Sequence, residues 1–196
     1  MAGKQRPGSP RVRLFVALDL PGPVVPALAR WSAAAFGDQP ELRVVRPESL
    51  HVTLVFLGYQ YERDVQRIAE VAFAEPLQPV ELQATGVQPV PRSRPRLFAL
   101  ELADRDDALT GWQEGLSARL AATRLYEPEK RPFWPHVTLA RAKRGARISR
   151  GLELPALPAE LRAPFATADL TLYRSTLRPA GAVYEPLAKG KKTTVH

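Results

Sequence analysis

Two short stretches of this chain carry residues suited to moving protons. His51 and Thr53 stand two apart in His51-Val52-Thr53-Leu54, and the same tetrapeptide returns as His136-Val137-Thr138-Leu139. Chance recurrence of a given tetrapeptide in a chain this long is on the order of one in a thousand, so the pair marks an internal repeat. The one remaining histidine is the terminal His196. On a strand, residues two apart share a face. Each copy therefore shows an imidazole and a hydroxyl on one side. The apolar partners, Val52 and Leu54 or Val137 and Leu139, face a core on the other. Two copies around one cleft offer two imidazoles and two hydroxyl donors, a set that suits a phosphodiester. A neutral imidazole deprotonates the attacking oxygen, an imidazolium protonates the leaving oxygen, and the hydroxyls hold the non-bridging oxygens. An unperturbed imidazole pKa of about 6.5 makes both protonation states accessible near neutrality.

Other chemistries fit less well. Two imidazoles need a third ligand to hold a metal, and Glu48 is the acid nearest either motif in the sequence. The chain has no Cys, which excludes disulfides, thiolate zinc sites and Cys nucleophiles. It has no G-x-S-x-G, the turn that presents a hydrolase serine. Neither a metal nor a cofactor is expected.

These motifs need strands to carry them. Arg13 to Asp19 is a short apolar run that reads as a buried strand, followed by a helix over 23–36 with Trp31 in its apolar stripe. Leu42 to Val45 reads as a short strand, and His51 to Leu57 as a strand closed by Gly58. A helix is expected over 62–75, then a strand over 80–90 with an irregularity at Gly86. Pro89 to Pro95 reads as a basic loop and Arg96 to Leu102 as a strand. Asp106 or Asp107 is placed to cap a helix whose stripe is Leu109, Trp112, Leu116 and Leu120. The second motif strand covers 136–141, and 142–165 reads as a long loop with one short helix. Residues 165–177 and 182–187 read as a closing hairpin.

The repeat is longer than the tetrapeptide. RLFVALDL at 13–20 matches RLFALEL at 96–102, and each is followed by a helix with a Trp and then by HVTL. Packed about a pseudo-twofold axis, the two copies would pair the motif strands and bring the histidines face to face.

The formal charge is +8, and seven of the eight excess charges lie in residues 1–13 and 189–196. Segments 1–12 and 189–196 are therefore expected to be disordered basic tails, flanking one domain over 13–188. The body is nearly neutral. One local cluster, Arg141, Lys143, Arg144, Arg147 and Arg150, directly follows the second motif. It reads equally as a solvated loop and as a phosphate contact. No membrane span or signal peptide is read, so a cytoplasmic protein is expected.

HVTLVFLG and PHVTLAR, with an opening RLFVALDLP and a closing LYRSTLRPAGAVYEPL, resemble the two-histidine (2H) phosphoesterases. Within that group the chain is similar to the bacterial and archaeal RNA 2',3'-cyclic phosphodiesterases, also called 2'-5' RNA ligases. The resemblance runs from about residue 12 to 188. It implies an α+β, bilobal, pseudo-twofold fold of two antiparallel sheets with helices outside and a central cleft. It implies hydrolysis of RNA-terminal 2',3'-cyclic phosphates to 2'-phosphates, tRNA fragments among the candidate substrates, with weak reverse 2'-5' joining. A monomer is expected. On this resemblance His51 is the proton donor and His136 the acceptor, Thr53, Thr138 and Arg141 hold phosphate, and Phe56 stacks on a base. Phe56 and Arg141 each lie five residues after their histidine, where an ideal strand would turn them away. The strands are therefore expected to be irregular near 55–57 and 140–142. Rival readings are another cyclic phosphate, such as a cyclic nucleotide or ADP-ribose cyclic phosphate, and an RNA-end-binding module without turnover.

Overall fold

The computed structural model describes residues 10–148, 151–167 and 169–190. Its strands are β1 (Arg11–Asp19), β2 (Leu42–Val44), β3 (His51–Tyr61), β4 (Val80–Val90), β5 (Leu97–Asp104), β6 (His136–Ala142), β7 (Phe165–Thr167), β8 (Leu170–Arg178) and β9 (Gly181–Lys189). Its helices are α1 (Val24–Phe36), α2 (Val65–Ala72), α3 (Ala108–Ala122) and the short α4 (Ala159–Arg162).

The strands run β7-β4-β5-β6-β3-β1-β8-β9, all neighbours antiparallel, with β2 added to β6. The order is symmetric about its middle. One half is β3-β1-β8-β9 and the other is β6-β5-β4-β7, so β3 corresponds to β6 and β1 to β5. The halves meet at a single bridge, Val52 opposite Val137. This is the pairing of motif strands that the duplication predicted. Both valines are fully buried, as is Leu139, and Leu54 nearly so. The antiparallel register then sets His51 across from Thr138, and Thr53 across from His136, on the opposite face.

The helices lie on the buried face and are exchanged between halves. α1 packs on β2, β6 and α4, and Phe36 stacks against Phe98 of β5. Trp31, a core residue as expected, donates its Nε1–H to Ala156 O at 3.2 Å. α3 packs against α2 and β3 and reaches back to β5. The helix that follows each repeat's first strand thus covers strands of the other half.

Several boundaries differ from expectation, each for a physical reason. β1 begins at Arg11, because Arg11 and Val12 pair with Tyr61 and Gln60; these residues belong to the sheet and not to a tail. β9 likewise includes Lys189. Pro10 and Gly190 flank these strands, whereas residues 1–9 and 191–196 of the expected tails, and Arg150, lie outside the described residues. β3 does not stop at Gly58, which adopts φ +68 inside the strand, a left-handed conformation that glycine accepts without Cβ strain. The expected helix over 62–75 opens as a 3₁₀ turn, Glu62–Asp64, before α2. Neither Asp106 nor Asp107 caps α3; both have positive φ, and Asp104 takes the role. Its Oδ1 accepts from Leu109 N at 3.0 Å and its Oδ2 from Thr110 N at 2.7 Å. The single strand expected over 165–177 is two: β7 pairs with β4 in one half and β8 with β1 in the other.

Candidate active site

Each histidine is built in the same way. The 3₁₀ turn Pro47–Ser49 brings Ser49 O beneath His51, and His51 Nδ1–H donates to it at 2.8 Å. His136 Nδ1–H donates to Trp134 O at 2.8 Å. A carbonyl oxygen only accepts, so Nδ1 carries the proton in both neutral rings and Nε2 is left with its lone pair. His51 Nε2 lies 3.1 Å from Thr53 Oγ1. Both imidazoles and both threonines line one cleft of about 260 Å³ on the open face where the halves meet.

Phe56 and Arg141 line the same cleft, because the strands are irregular. Ala17 pairs with Thr53 and Val16 with Val55, so Leu54 is an extra residue in β3. Ala99 pairs with Thr138 and Phe98 with Ala140, so Leu139 is extra in β6. Each bulge sits three residues after its histidine, slightly earlier than expected. Each makes two consecutive residues buried, Leu54-Val55 and Leu139-Ala140, and turns the following side chain to the cleft. A further shift at Leu57 follows Phe56. The carbonyls at the two motif bulges are satisfied. Gln113 of α3 donates to Leu54 O at 3.0 Å, and Val45 N donates to Leu139 O at 2.8 Å.

The cleft contains groups that the sequence did not single out. Arg13 and Phe15 come from β1, and Ser175 and Tyr184 from the closing hairpin β8–β9. Arg13 donates to Ser175 Oγ at 2.8 Å, and its guanidinium lies 4.4 Å from the Phe56 ring centre. Phe15 stacks on His51 at 4.9 Å, and Tyr184 meets the same imidazole edge-on at 5.2 Å. Trp134 stacks on His136 at 4.3 Å, with 18° between the planes. Of the basic cluster after the second motif, Arg141 lines the cleft, and its Nη2 lies 3.4 Å from Thr138 Oγ1. Lys143, Arg144 and Arg147 are exposed. A second groove shares Arg141, Ser49 and Tyr184 with the cleft and adds Arg43 and Arg46. No Asp or Glu is among the described residues lining either.

Acids do stand near the motifs in space, which corrects the impression from the sequence. Asp19 lies opposite His51 in the ladder and Glu101 opposite His136. Their oxygens are taken elsewhere. Asp19 accepts from Thr171 Oγ1 at 2.7 Å and Tyr173 OH at 2.9 Å. Glu101 Oε1 accepts from Trp134 Nε1 at 3.1 Å. Among the described residues, no group of three His, Asp or Glu side chains is placed to hold a metal ion.

Burial dominates the electrostatics. It pushes His51 down to about 4, against the hydrogen bond to Ser49, and Arg141 and His136 push the same way. Burial lowers His136 too, against its bond to Trp134 and with Arg141 again adding to the shift. At neutral pH the cleft therefore holds two neutral imidazoles beside an uncompensated guanidinium. This arrangement attracts an anion and can then share a proton with it.

Comparison with known proteins agrees with this geometry. The family model described as the 2'-5' RNA ligase superfamily matches residues 20–177. An RNA 2',3'-cyclic phosphodiesterase of Escherichia coli is 28% identical over 179 residues, 90% of this chain and 94% of that protein. One from Archaeoglobus fulgidus is 30% identical over 192 residues, 90% of this chain and 98% of that protein. Among solved structures, E. coli LigT complexed with 3'-AMP superposes with a TM-score of 0.75 at 26% identity, covering 94% of this chain and all of that one. The Thermus thermophilus protein TT0787 gives 0.75 at 28% identity, covering 91% and 96%. The paired histidine strands, the pseudo-twofold halves and the extent of these matches place the chain in the 2'-5' RNA ligase superfamily.

Proposed function

We propose that this chain, an enzyme of the RNA 2',3'-cyclic phosphodiesterase kind, opens the terminal cyclic phosphate of RNA to a 2'-phosphate using His51 and His136 alone. The observation that carries the reading is the matched pair of Nδ1-anchored imidazoles, both turned to one acid-free, arginine-walled cleft. Water attacks phosphorus opposite O3'. His136 Nε2 takes the water proton, the P–O3' bond breaks, and His51 Nε2–H protonates O3'. The product is a 2'-phosphomonoester with a free 3'-hydroxyl. Thr53, Thr138 and Arg141 hold the non-bridging oxygens. A 5'-hydroxyl in place of water would give weak 2'-5' joining.

Two asymmetries support the assignment of roles. His51 is lowered to about 4 and feels His136 as well as Arg141, so once protonated beside a bound anion it is a strong proton donor. His136 lies against an indole whose N–H bonds a carboxylate, a setting that tolerates the positive charge a base acquires. The test is incubation of an RNA ending in a 2',3'-cyclic phosphate with the protein in EDTA. The expected product is the 2'-phosphate. His51→Ala and His136→Ala should each lose roughly a hundredfold to ten-thousandfold in kcat. A 3'-phosphate product, loss of turnover in EDTA, or near-normal turnover by either variant would refute the mechanism.

A further inference from the structure

The cleft face of the β3-β1 ladder continues beyond the cleft. Residues directly opposed in an antiparallel pair share a face. The register sets Arg13 opposite Tyr59 and Arg11 opposite Tyr61. Arg13 faces the cleft, as its contacts with Phe56 and Ser175 show. Tyr59, Arg11 and Tyr61 therefore extend that face outward along the strands. Gln60, between the tyrosines, points the other way and donates to Leu125 O at 2.9 Å, just past the end of α3.

The two tyrosines are exposed, Tyr59 by 56% and Tyr61 by 39%. Cations accompany them. Arg11 lies 5.2 Å and Arg63 4.6 Å from the Tyr61 ring centre, and Arg11 Nη2 donates to Tyr59 O at 2.7 Å. The neighbouring acid Glu62 is turned to Arg174, at 2.9 Å, and Arg174 is opposite Leu14, away from the cleft side. From Phe56 to Tyr61 the strand spans about 15 Å.

Exposed tyrosine rings interleaved with guanidinium groups on a sheet match the bases and phosphates of a single strand. An acidic peptide would use the cations and leave the rings idle. We propose that this face is a track for single-stranded RNA on the 5' side of the reacting end. Tyr59 and Tyr61 stack bases, and Arg11, Arg13 and Arg63 hold the intervening phosphates. The inference rests on the reading of the cleft as a site for RNA 3' ends, since the rest of such a strand must leave the cleft on its 5' side.

The test compares two substrates: an oligoribonucleotide ending in a 2',3'-cyclic phosphate and a 2',3'-cyclic mononucleotide. Tyr59→Ala/Tyr61→Ala should lower the ratio of their kcat/KM values, oligomer over mononucleotide, by roughly tenfold or more. Tyr59→Phe/Tyr61→Phe should preserve it, because a phenyl ring still stacks. An unchanged ratio in the alanine variant overturns the track. If the unaltered protein hydrolyses neither substrate, it is the reading of the cleft that fails. The track is then judged by fluorescence anisotropy with a 5'-labelled single-stranded RNA bearing a 3'-phosphate. Weaker binding by the alanine variant supports it, and equal binding or none refutes it.

Discussion

At the scale of residues, the proposed mechanism depends on two imidazoles made poor bases by their surroundings. Burial leads in lowering both, and Arg141 adds to it. A bound phosphodiester anion acts against these effects, because opposite charge favours the imidazolium. The profile of kcat/KM reports the free enzyme, and that of kcat reports the complex. The kcat bell should therefore sit at higher pH than the kcat/KM bell. Coincident profiles would mean that the anion does not bind beside the imidazoles. Folding follows the same linkage. Unfolded His51 titrates near 6.5 and folded His51 near 4, so between these values the unfolded chain binds more protons and stability falls as pH drops. The sequence displayed the two histidines and threonines because each pair is local, two residues apart on one strand. It concealed Arg13, Ser175 and Tyr184 because only the long-range order β3-β1-β8-β9 brings them in. Phe15 was hidden differently. The RLF match between the repeats is out of step by one residue: Ala17 and Ala99 are equivalent in their pairing with Thr53 and Thr138, so Phe15 corresponds to Leu97. Phe15 faces the cleft, whereas Phe98 packs against Phe36 in the core.

At the scale of elements, the bulges at Leu54 and Leu139 turn two ordinary strands into walls of a site. The alternation of HVTL was readable, and so was the conflict it created for Phe56 and Arg141. What resolves the conflict was not readable, because the partners of the bulge carbonyls come from distant segments. Gln113 lies 59 residues from Leu54, on the helix of the other repeat. Without that donor the Leu54 carbonyl loses its partner, at a cost of about 1–3 kcal/mol if it stays buried. The strand can recover part of this by relaxing toward regular pairing, which would turn Phe56 away. Gln113→Leu should therefore lower kcat/KM roughly tenfold or more, since small misplacements are costly in a positioned site. Tm should fall by only a few degrees. Glu114→Ala, an exposed change on the same helix, should do neither. Gln113→Leu with a lowered Tm and full activity would show that the bulge holds without it.

At the scale of the whole molecule, the duplication suggests two lobes, and the structure ties them together. A single bridge between Val52 and Val137 would be a weak seam by itself. The exchange of helices is what makes it strong. α1 leaves β1 and covers β6, while α3 leaves β5 and covers β3, so each half's apolar face is buried by a helix from the other repeat. The last strands add to this: β7 completes one half and β8 and β9 the other, all from the C-terminal part of the chain. A cut in the Pro76–Pro79 stretch would leave an N-terminal piece with α1 deprived of β6 and with β1 deprived of β8. Neither piece should fold alone, and mixing the two should restore both helicity and hydrolysis. In the intact chain the same interdependence predicts one cooperative thermal transition, with calorimetric and van't Hoff enthalpies equal. Two resolved transitions, or an N-terminal piece that folds alone, would mean that the halves are separate domains. The cleft between them would then be free to open. One transition keeps the histidines at a fixed separation, as the proposed proton transfer at both ends of one phosphorus centre requires.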